Sequence, residues 1–166
     1  MRRSQRRRRG QALVEFALVL PVLLLVLLGT VDAGRLIYAY NSVSNAAREG
    51  GRTAIVNQTP AEVRAKAAEQ ATALGIPSTA PGSCPAAGGP TTSQPSGVCF
   101  VLRSKDGSTA CPSAEIGCTA VVAVKWEYRA ITPIIGDLIG PMPVSATTRQ
   151  LVEKVCISVT PGECPR

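Results

Sequence analysis

Residues 12–31 read ALVEFALVLPVLLLVLLGTV, and Glu15 is the only formal charge among them. At a rise of about 1.5 Å per residue, a helix of this length is about 30 Å long and matches the hydrocarbon core of a bilayer. A buried soluble helix is the alternative, but a run this long that is apolar on every face has no polar side for water. The stretch predicts a transmembrane helix, which we assign to residues 11–31.

The basic charge of the chain lies immediately before this helix. The net charge is +7, and six arginines fall within residues 1–10. The rest of the chain, with 12 basic and 11 acidic residues, has no large basic field for phosphates, so we expect no nucleic-acid partner. Because positive charge favours the cytoplasmic side, we expect a single span in the cytoplasmic (inner) membrane, with the N-terminus inside and the C-terminus outside.

A cleavable secretory signal is the second interpretation of this N-terminus. Residues 31–33, Val-Asp-Ala, precede Gly34 and resemble the small-residue rule for signal peptidase. However, the apolar core of a signal peptide is typically about 7–15 residues long, and an acidic residue at its entrance is unexpected. We therefore favour a retained span, with cleavage after Ala33 as the alternative.

A helical stem is predicted beyond the membrane. Residues at i, i+4, i+7 and i+11 are Leu36, Tyr40, Val43 and Ala47. This spacing predicts an amphipathic helix that continues outward as far as Gly50-Gly51, within a stem segment placed at residues 32–56. Residues 59–62, Thr-Pro-Ala-Glu, then predict a capping box that opens a second helix ending before Gly75.

The remainder of the chain predicts a small sheet. Residues 76–97 are rich in Pro, Gly, Ser and Thr and predict a surface loop. The β-branched and aromatic runs 98–103 and 118–130 predict an antiparallel hairpin, residues 131–143 an apolar connector, and residues 143–159 a last strand. The side chains expected to face the core are Val122, Val124, Trp126 and Tyr128, and those expected to face solvent are Lys125, Glu127 and Arg129. The fold class is α+β, with residues 57–166 forming an extracytoplasmic domain.

Six cysteines lie in the outward part: Cys84, Cys99, Cys111, Cys118, Cys156 and Cys164. An even number in an oxidising compartment suits three disulfides. Many pairings are possible, and we favour Cys156 with Cys164 and Cys111 with Cys118 because short loops bring their ends together often. A zinc site is the rival, but the spacings lack paired C-x2-C units and the chain has no histidine.

The absence of histidine also argues against catalysis, because it removes the usual general base near neutral pH and the activator of a cysteine nucleophile. Glu115 and Glu127 are interpreted as solvated surface charges, since no cluster of acids accompanies them. We expect no enzymatic activity, no metal and no cofactor.

The junction RRRRG-QALVEF at residues 6–16 carries the functional prediction. Cleavage between Gly10 and Gln11 would place a new amine at the start of the membrane helix, with Glu15 four residues later on the same face. An acid inside a membrane helix is costly and marks a functional site. Its partner would be the amine of Gln11 or of a neighbouring subunit, and the pair would set the axial register of packed helices. In the alternative interpretation, Glu15 lies at the headgroup boundary and reaches water.

This junction resembles the processing signature of type IV prepilins, which has a basic leader ending in glycine, a glutamate five residues later and an apolar helix. Residues 10–54 resemble TadE-like proteins of the tight-adherence pilus system almost throughout, and residues 145–149, Ser-Ala-Thr-Thr-Arg, are a weaker echo. The positions that carry the TadE-like resemblance are Pro21, Asp32, Gly34, Arg35, Ala46, Ala47, Arg48, Glu49, Gly50 and Arg52. Asp32 stands where a glutamate is common in that family, which leaves the charge unchanged.

The resemblance implies that residues 1–10 are a leader that prepilin peptidase removes between Gly10 and Gln11, and that processing or assembly requires Glu15. It implies a pseudopilin with other pilins, pseudopilins and inner-membrane pilus assembly proteins as partners, and it leaves open whether the protein enters the pilus. The alternative is an anchored extracytoplasmic binding module unrelated to a filament.

Overall fold

The computed structural model describes residues 3–79, 84, 95–111, 113–132, 136–137 and 139–157, and of residues 3–9 it describes the main chain alone. The regular elements are α1 (Arg3–Val56), α2 (Pro60–Gln70), a 3-10 turn (Thr72–Leu74), β1 (Gly97–Arg103), β2 (Thr119–Tyr128) and β3 (Met142–Leu151). A long N-terminal helix, a second helix and a three-stranded antiparallel sheet confirm the α+β class.

Helix α1 is unbroken over 54 residues and is therefore about 80 Å long. It is the one helix in the described part of the chain that is long and apolar enough to cross a membrane. Its most apolar 18-residue window has a mean hydropathy of 2.7, and none of that window is buried. The N-terminal half of α1 thus exposes apolar side chains on all sides, which suits a single span.

The helix ends at Val56 and not at Gly50-Gly51 as predicted. Both glycines lie in its interior, where it packs against α2 and the sheet. A Cβ atom on Gly50 would lie 2.9 Å from Cβ of Ala67 and 2.9 Å from Cγ1 of Val122. The glycine pair therefore marks a close approach between three elements, a role that glycine serves because it has no side chain.

The stem residues of α1 supply part of the domain core. Val43, Ala46, Ala47 and Ala54 are buried, in one cluster with residues of α2 and the sheet. The sheet order is β1-β2-β3, with both neighbouring pairs antiparallel, so the predicted hairpin is confirmed. Residues 32–56 are thus packed into the folded part and do not stand free of it.

The central strand β2 is buried on both faces over most of its length, whereas its sequence predicted one buried face and one face toward solvent. Val122, Val124 and Tyr128 face the core and Glu127 is exposed, as expected, but Lys125 is only 3% exposed. Ala123, on the same face as Lys125, pairs in register with Cys99, which is bonded to Cys84. This disulfide holds Cys84 near the second face, so that face is covered beside β1.

Helix α2 begins at Pro60 as predicted, but the Thr59 side chain forms no capping hydrogen bond. Instead Asn57 Oδ1 accepts the main-chain N–H of Thr59 at 2.9 Å, and Asn57 Nδ2 donates to Glu62 at 2.6 Å. The asparagine that follows α1 therefore organises the start of the next helix, because its short amide can bond the main chain two residues on.

The last strand ends at Leu151, earlier than predicted, because the following chain bonds to the end of α1. The main-chain N–H groups of Glu153 and Lys154 donate to the carbonyl of Ile55. The buried Gln58 side chain accepts the Cys156 N–H at 2.8 Å and donates to the carbonyl of Lys154 at 2.9 Å. Residues 158–159, the end of the predicted strand, lie outside the described residues.

Two disulfides join described residues. Cys111 is bonded to Cys118, the pair favoured from spacing, with Cα atoms 6.3 Å apart. Cys84 is bonded to Cys99, with Cα atoms 5.4 Å apart. Cys156 is also disulfide-bonded, but Cys164 lies outside the described residues, so its pairing with Cys156 stays a prediction.

We expect Gly50→Ala to lower the free energy of unfolding by about 1–3 kcal/mol, because the new methyl group would overlap two side chains held by α2 and β2. Thermal unfolding of the detergent-solubilised protein, followed by circular dichroism, measures this. Gly34→Ala is the matched control, since a Cβ there meets no atom within 4 Å. Alanine favours helix by up to about 1 kcal/mol over glycine. Equal loss of stability in both variants would contradict the packing role of Gly50.

Candidate functional site

The predicted processing junction lies within α1. Gly10 and Gln11 are exposed, and the helix runs through them from Arg3. Among the described residues, and apart from the backbone of the helix itself, no atom lies within 4 Å of the position that a Cβ of Gly10 would occupy. Glycine lowers helix stability by about 1 kcal/mol relative to alanine, so the accessible Gly10–Gln11 bond is also a weak point in the helix.

Glu15 is exposed in the same half of α1. Within the described part of the chain, no hydrogen bond or ion pair involves its side chain. In the uncut chain the nitrogen of Gln11 is a peptide nitrogen and carries no charge. The predicted ion pair between Gln11 and Glu15 therefore requires cleavage first, and it stays a prediction.

The second group of residues surrounds Asp32, the residue after the predicted span. Its side chain is buried, although aspartate is a charged residue, and only 6% of its surface is exposed. A carboxylate removed from water is stable only where hydrogen-bond donors or positive charges replace the lost water. The end of β2 and the residues that follow it provide these donors.

Four donors converge on Asp32. The main-chain N–H of Ile131 donates to Oδ1 at 2.9 Å and that of Thr132 to Oδ2 at 3.0 Å. The Thr132 hydroxyl donates to Oδ2 at 2.6 Å. The Tyr128 hydroxyl lies 2.8 Å from the main-chain oxygen of Asp32 and 3.1 Å from Oδ1, so the two acceptors share its proton. We call Asp32, Tyr128, Ile131 and Thr132 the Asp32 latch.

Arg35 completes the electrostatics of the latch. Its Nη1 lies 3.6 Å from Oδ1 of Asp32, and its guanidinium carbon lies 5.8 Å from the centre of the Tyr128 ring. The hydroxyl of Thr132 and the N–H groups of Ile131 and Thr132 hold the pKa of Asp32 well below its usual range. Burial raises the pKa of Tyr128, and its bond to Asp32 raises it further. At neutral pH the latch therefore contains a charged carboxylate and a neutral phenol.

The remaining motif residues divide between packing and surface. Ala46, Ala47 and Gly50 are buried, and Arg48 and Arg52 are exposed. Glu49 and Arg52 form an exposed ion pair at 3.7 Å, of a kind that contributes little to stability. The small residues of this segment thus allow α1 to lie close to its neighbours.

Among the described residues, no group of three or more cysteine or acidic side chains is placed so that it could bind a metal ion. A cavity of about 150 Å³ lies beside the latch, and its lining is mostly apolar. Gly29, Leu36, Tyr128 and Ile139 are among the residues that line it.

Sequence reasoning identified Asp32 from its family motif but missed its partners. Tyr128 was assigned to the core without a role for its hydroxyl, and Thr132 was placed in the connector without a role. The signal was present in part, because a carboxylate at the end of an apolar span needs donors. The partners lie 96 to 100 residues away in sequence, however, and only the fold brings them together.

We expect Asp32→Asn to destabilise the domain more than Tyr128→Phe, because an amide nitrogen would face the donors of Thr132 or Ile131. Tyr128→Phe removes one shared hydrogen bond and should cost about 1 kcal/mol. Thermal unfolding in detergent at pH 7 measures both, and Asp137→Asn, in an exposed position of the same connector, is the control. Equal melting temperatures for Asp32→Asn and Asp137→Asn would contradict the latch.

The latch also predicts a dependence on pH. Because the pKa of Asp32 is lower in the folded than in the unfolded chain, its contribution is complete above the unfolded pKa of about 3.9. It is lost as the pH falls further toward the folded value. The melting temperature should therefore fall more steeply on acidification below about pH 4 in the native protein than in Asp32→Asn.

No curated protein and no solved structure matches the chain. One family model matches it, described as TadE-like protein, over residues 10–52. The match begins at the predicted cleavage site and includes the span, Asp32 and the small residues that face the core. Residues 10–52 are therefore similar to TadE-like proteins, which confirms the resemblance seen in their sequence.

Proposed function

We propose that this chain is a membrane-anchored pseudopilin that takes part in assembly of a tight-adherence, type IV-like pilus and is processed by prepilin peptidase after Gly10. Its role in this proposal is structural and not enzymatic. The observation that carries the proposal is that the TadE-like match, residues 10–52, falls on a single unbroken helix. That helix contains the junction, the span and one wall of the folded core.

The exposed half of α1 suits both a bilayer and a helical filament. Its large apolar side chains, such as Leu18 and Leu24, are exposed in the single chain. Lipid can cover them before assembly, and the apolar helices of neighbouring subunits can cover them afterwards. Because α1 also enters the core, a force or contact on the helix is passed directly to the domain.

Processing would change the charge of this helix at the place where assembly needs it. Removal of residues 1–10 takes away six arginines and leaves an amine on Gln11. Glu15 is then the nearest carboxylate in the apolar segment, one helical turn away. An unpaired charge in lipid is costly, so pairing of this amine with Glu15 of the same or a neighbouring subunit would favour one axial register.

The first test is the N-terminal sequence of the protein extracted from membranes. We expect it to begin at Gln11. A start at Met1 would favour the anchored binding module, and a start at Gly34 would favour a secretory signal. Gly10→Arg should block processing, because a bulky charged side chain replaces a hydrogen atom at the scissile bond. Ser4→Arg adds the same charge within the leader and should be cut normally.

The second test addresses Glu15. We expect Glu15→Ala to insert in the membrane but to abolish surface pili in cells that otherwise make them, as scored by electron microscopy. Glu49→Ala is the matched control, because it removes a carboxylate from the same helix outside the membrane. Normal piliation in Glu15→Ala would show that the ion pair is not needed.

A further inference from the structure

The connector after β2 is held at the membrane exit of α1. The Asp32 latch binds the main-chain N–H groups of Ile131 and Thr132 to the residue that follows Val31, the last residue of the predicted span. The main-chain nitrogen of Ile131 is one hydrogen bond from Asp32, so this residue lies within about one helical turn, some 5 Å, of the end of the apolar segment. Ile131 therefore stands at the level of the membrane interface.

The far end of the same connector also lies beside the span. The cavity of about 150 Å³ next to the latch is lined by Gly29, which lies inside the span, and by Ile139, Gly140 and Met142. Gly29 is half-buried, whereas most of the span is exposed. The chain that leads into β3 thus returns to the last turn of the membrane helix.

Both ends of the connector present a large apolar side chain to the surroundings. Ile131 is 59% exposed and Ile139 is 53% exposed. A single exposed isoleucine on a protein surface is ordinary. Here one isoleucine is bonded through its main chain to Asp32 and the other lines a cavity together with Gly29, so both exposed side chains lie near the end of the apolar segment of α1.

The charged residues nearby agree with a position at the headgroups. Arg35 and Arg129 are exposed. Arg35 lies over the Tyr128 ring, and Arg129 lines a cavity with Ala130, Gly140 and the exposed acid Asp137. Long arginine side chains can reach lipid phosphates while their stems remain among apolar groups. This arrangement places apolar side chains toward the acyl region and guanidinium groups toward the phosphates.

We propose that Ile131 and Ile139 insert into the boundary between headgroups and acyl chains of the bilayer that α1 crosses. The domain then contacts phospholipid at two points besides its span. These contacts fix the tilt of the domain relative to the membrane, because the Asp32 latch couples Ile131 to α1 and Ile139 lines a cavity with Gly29 of the same helix. This inference depends on the membrane anchoring in the proposed function, and its occupant is phospholipid.

The test uses the full chain in nanodiscs of phosphatidylethanolamine and phosphatidylglycerol, with p-benzoylphenylalanine placed at one position at a time. Position 131 or 139 is the test, Leu24 within the span is the positive control, and Ile116 is the matched negative control. Ile116 is 75% exposed and precedes β2, whose ten residues separate it from the latch by about 30 Å. After irradiation, phospholipid adducts are quantified by mass spectrometry.

We expect adducts at positions 131 and 139 several-fold above those at position 116 and comparable with those at position 24. Yields at 131 and 139 no higher than at 116, with normal labelling at 24, would overturn this inference and leave the membrane anchoring intact. Crosslinks from 131 and 139 to a second copy of the protein would also overturn it. Absence of lipid adducts at all four positions would contradict the span and both proposals.

Discussion

The buried carboxylate of Asp32 is the constraint on which the arrangement of this molecule depends. It lies at the end of the predicted span and is buried by the folded chain, so no exposed water shell stabilises its charge. The donors that replace water all come from the end of β2 and the residues after it. The hydrogen bonds that stabilise the Asp32 carboxylate therefore hold the sheet against α1. They also fix the position of the connector that follows β2.

Helix α1 carries two different surfaces along one axis. Its first half exposes leucine and valine on every side, which only lipid or other apolar helices can cover. Its second half carries alanine and glycine toward the sheet, and these small residues allow close contact with α2 and β2. The change between the two surfaces occurs at Asp32, the first buried residue of α1 among those whose side chains the structure describes.

The C-terminal part of the domain is tied back to this same helix. Gln58 bonds the carbonyl of Ala54 at the end of α1 as well as the chain after β3. Together with the Asp32 latch, this clamp holds the domain to α1 at both ends of the stem. In the proposed pseudopilin, the domain therefore moves together with the helix. In the same proposal, the leader arginines orient the precursor and are then removed, which leaves a protein that would work through packing and one charge pair.

Local composition and spacing were enough to predict a candidate span, the class of fold, the hairpin and the similarity of residues 10–52 to TadE-like proteins. These features depend on local composition and spacing. A helix that is apolar on every face, or a run of β-branched residues, predicts the same kind of element whatever the rest of the chain does. The tertiary structure decided what local patterns cannot express. Gly50-Gly51 has the form of a helix stop, yet it is a packing contact, because α2 and the sheet approach it from distant parts of the chain. Lys125 has the alternation of a surface residue, yet it is buried, and Cys84 is held near the same face by its disulfide bond to Cys99. Asp32 was visible as a motif residue, but its donors, about a hundred residues away, exist as a site only after folding, since hydrogen bonds depend on distance in space and not along the chain.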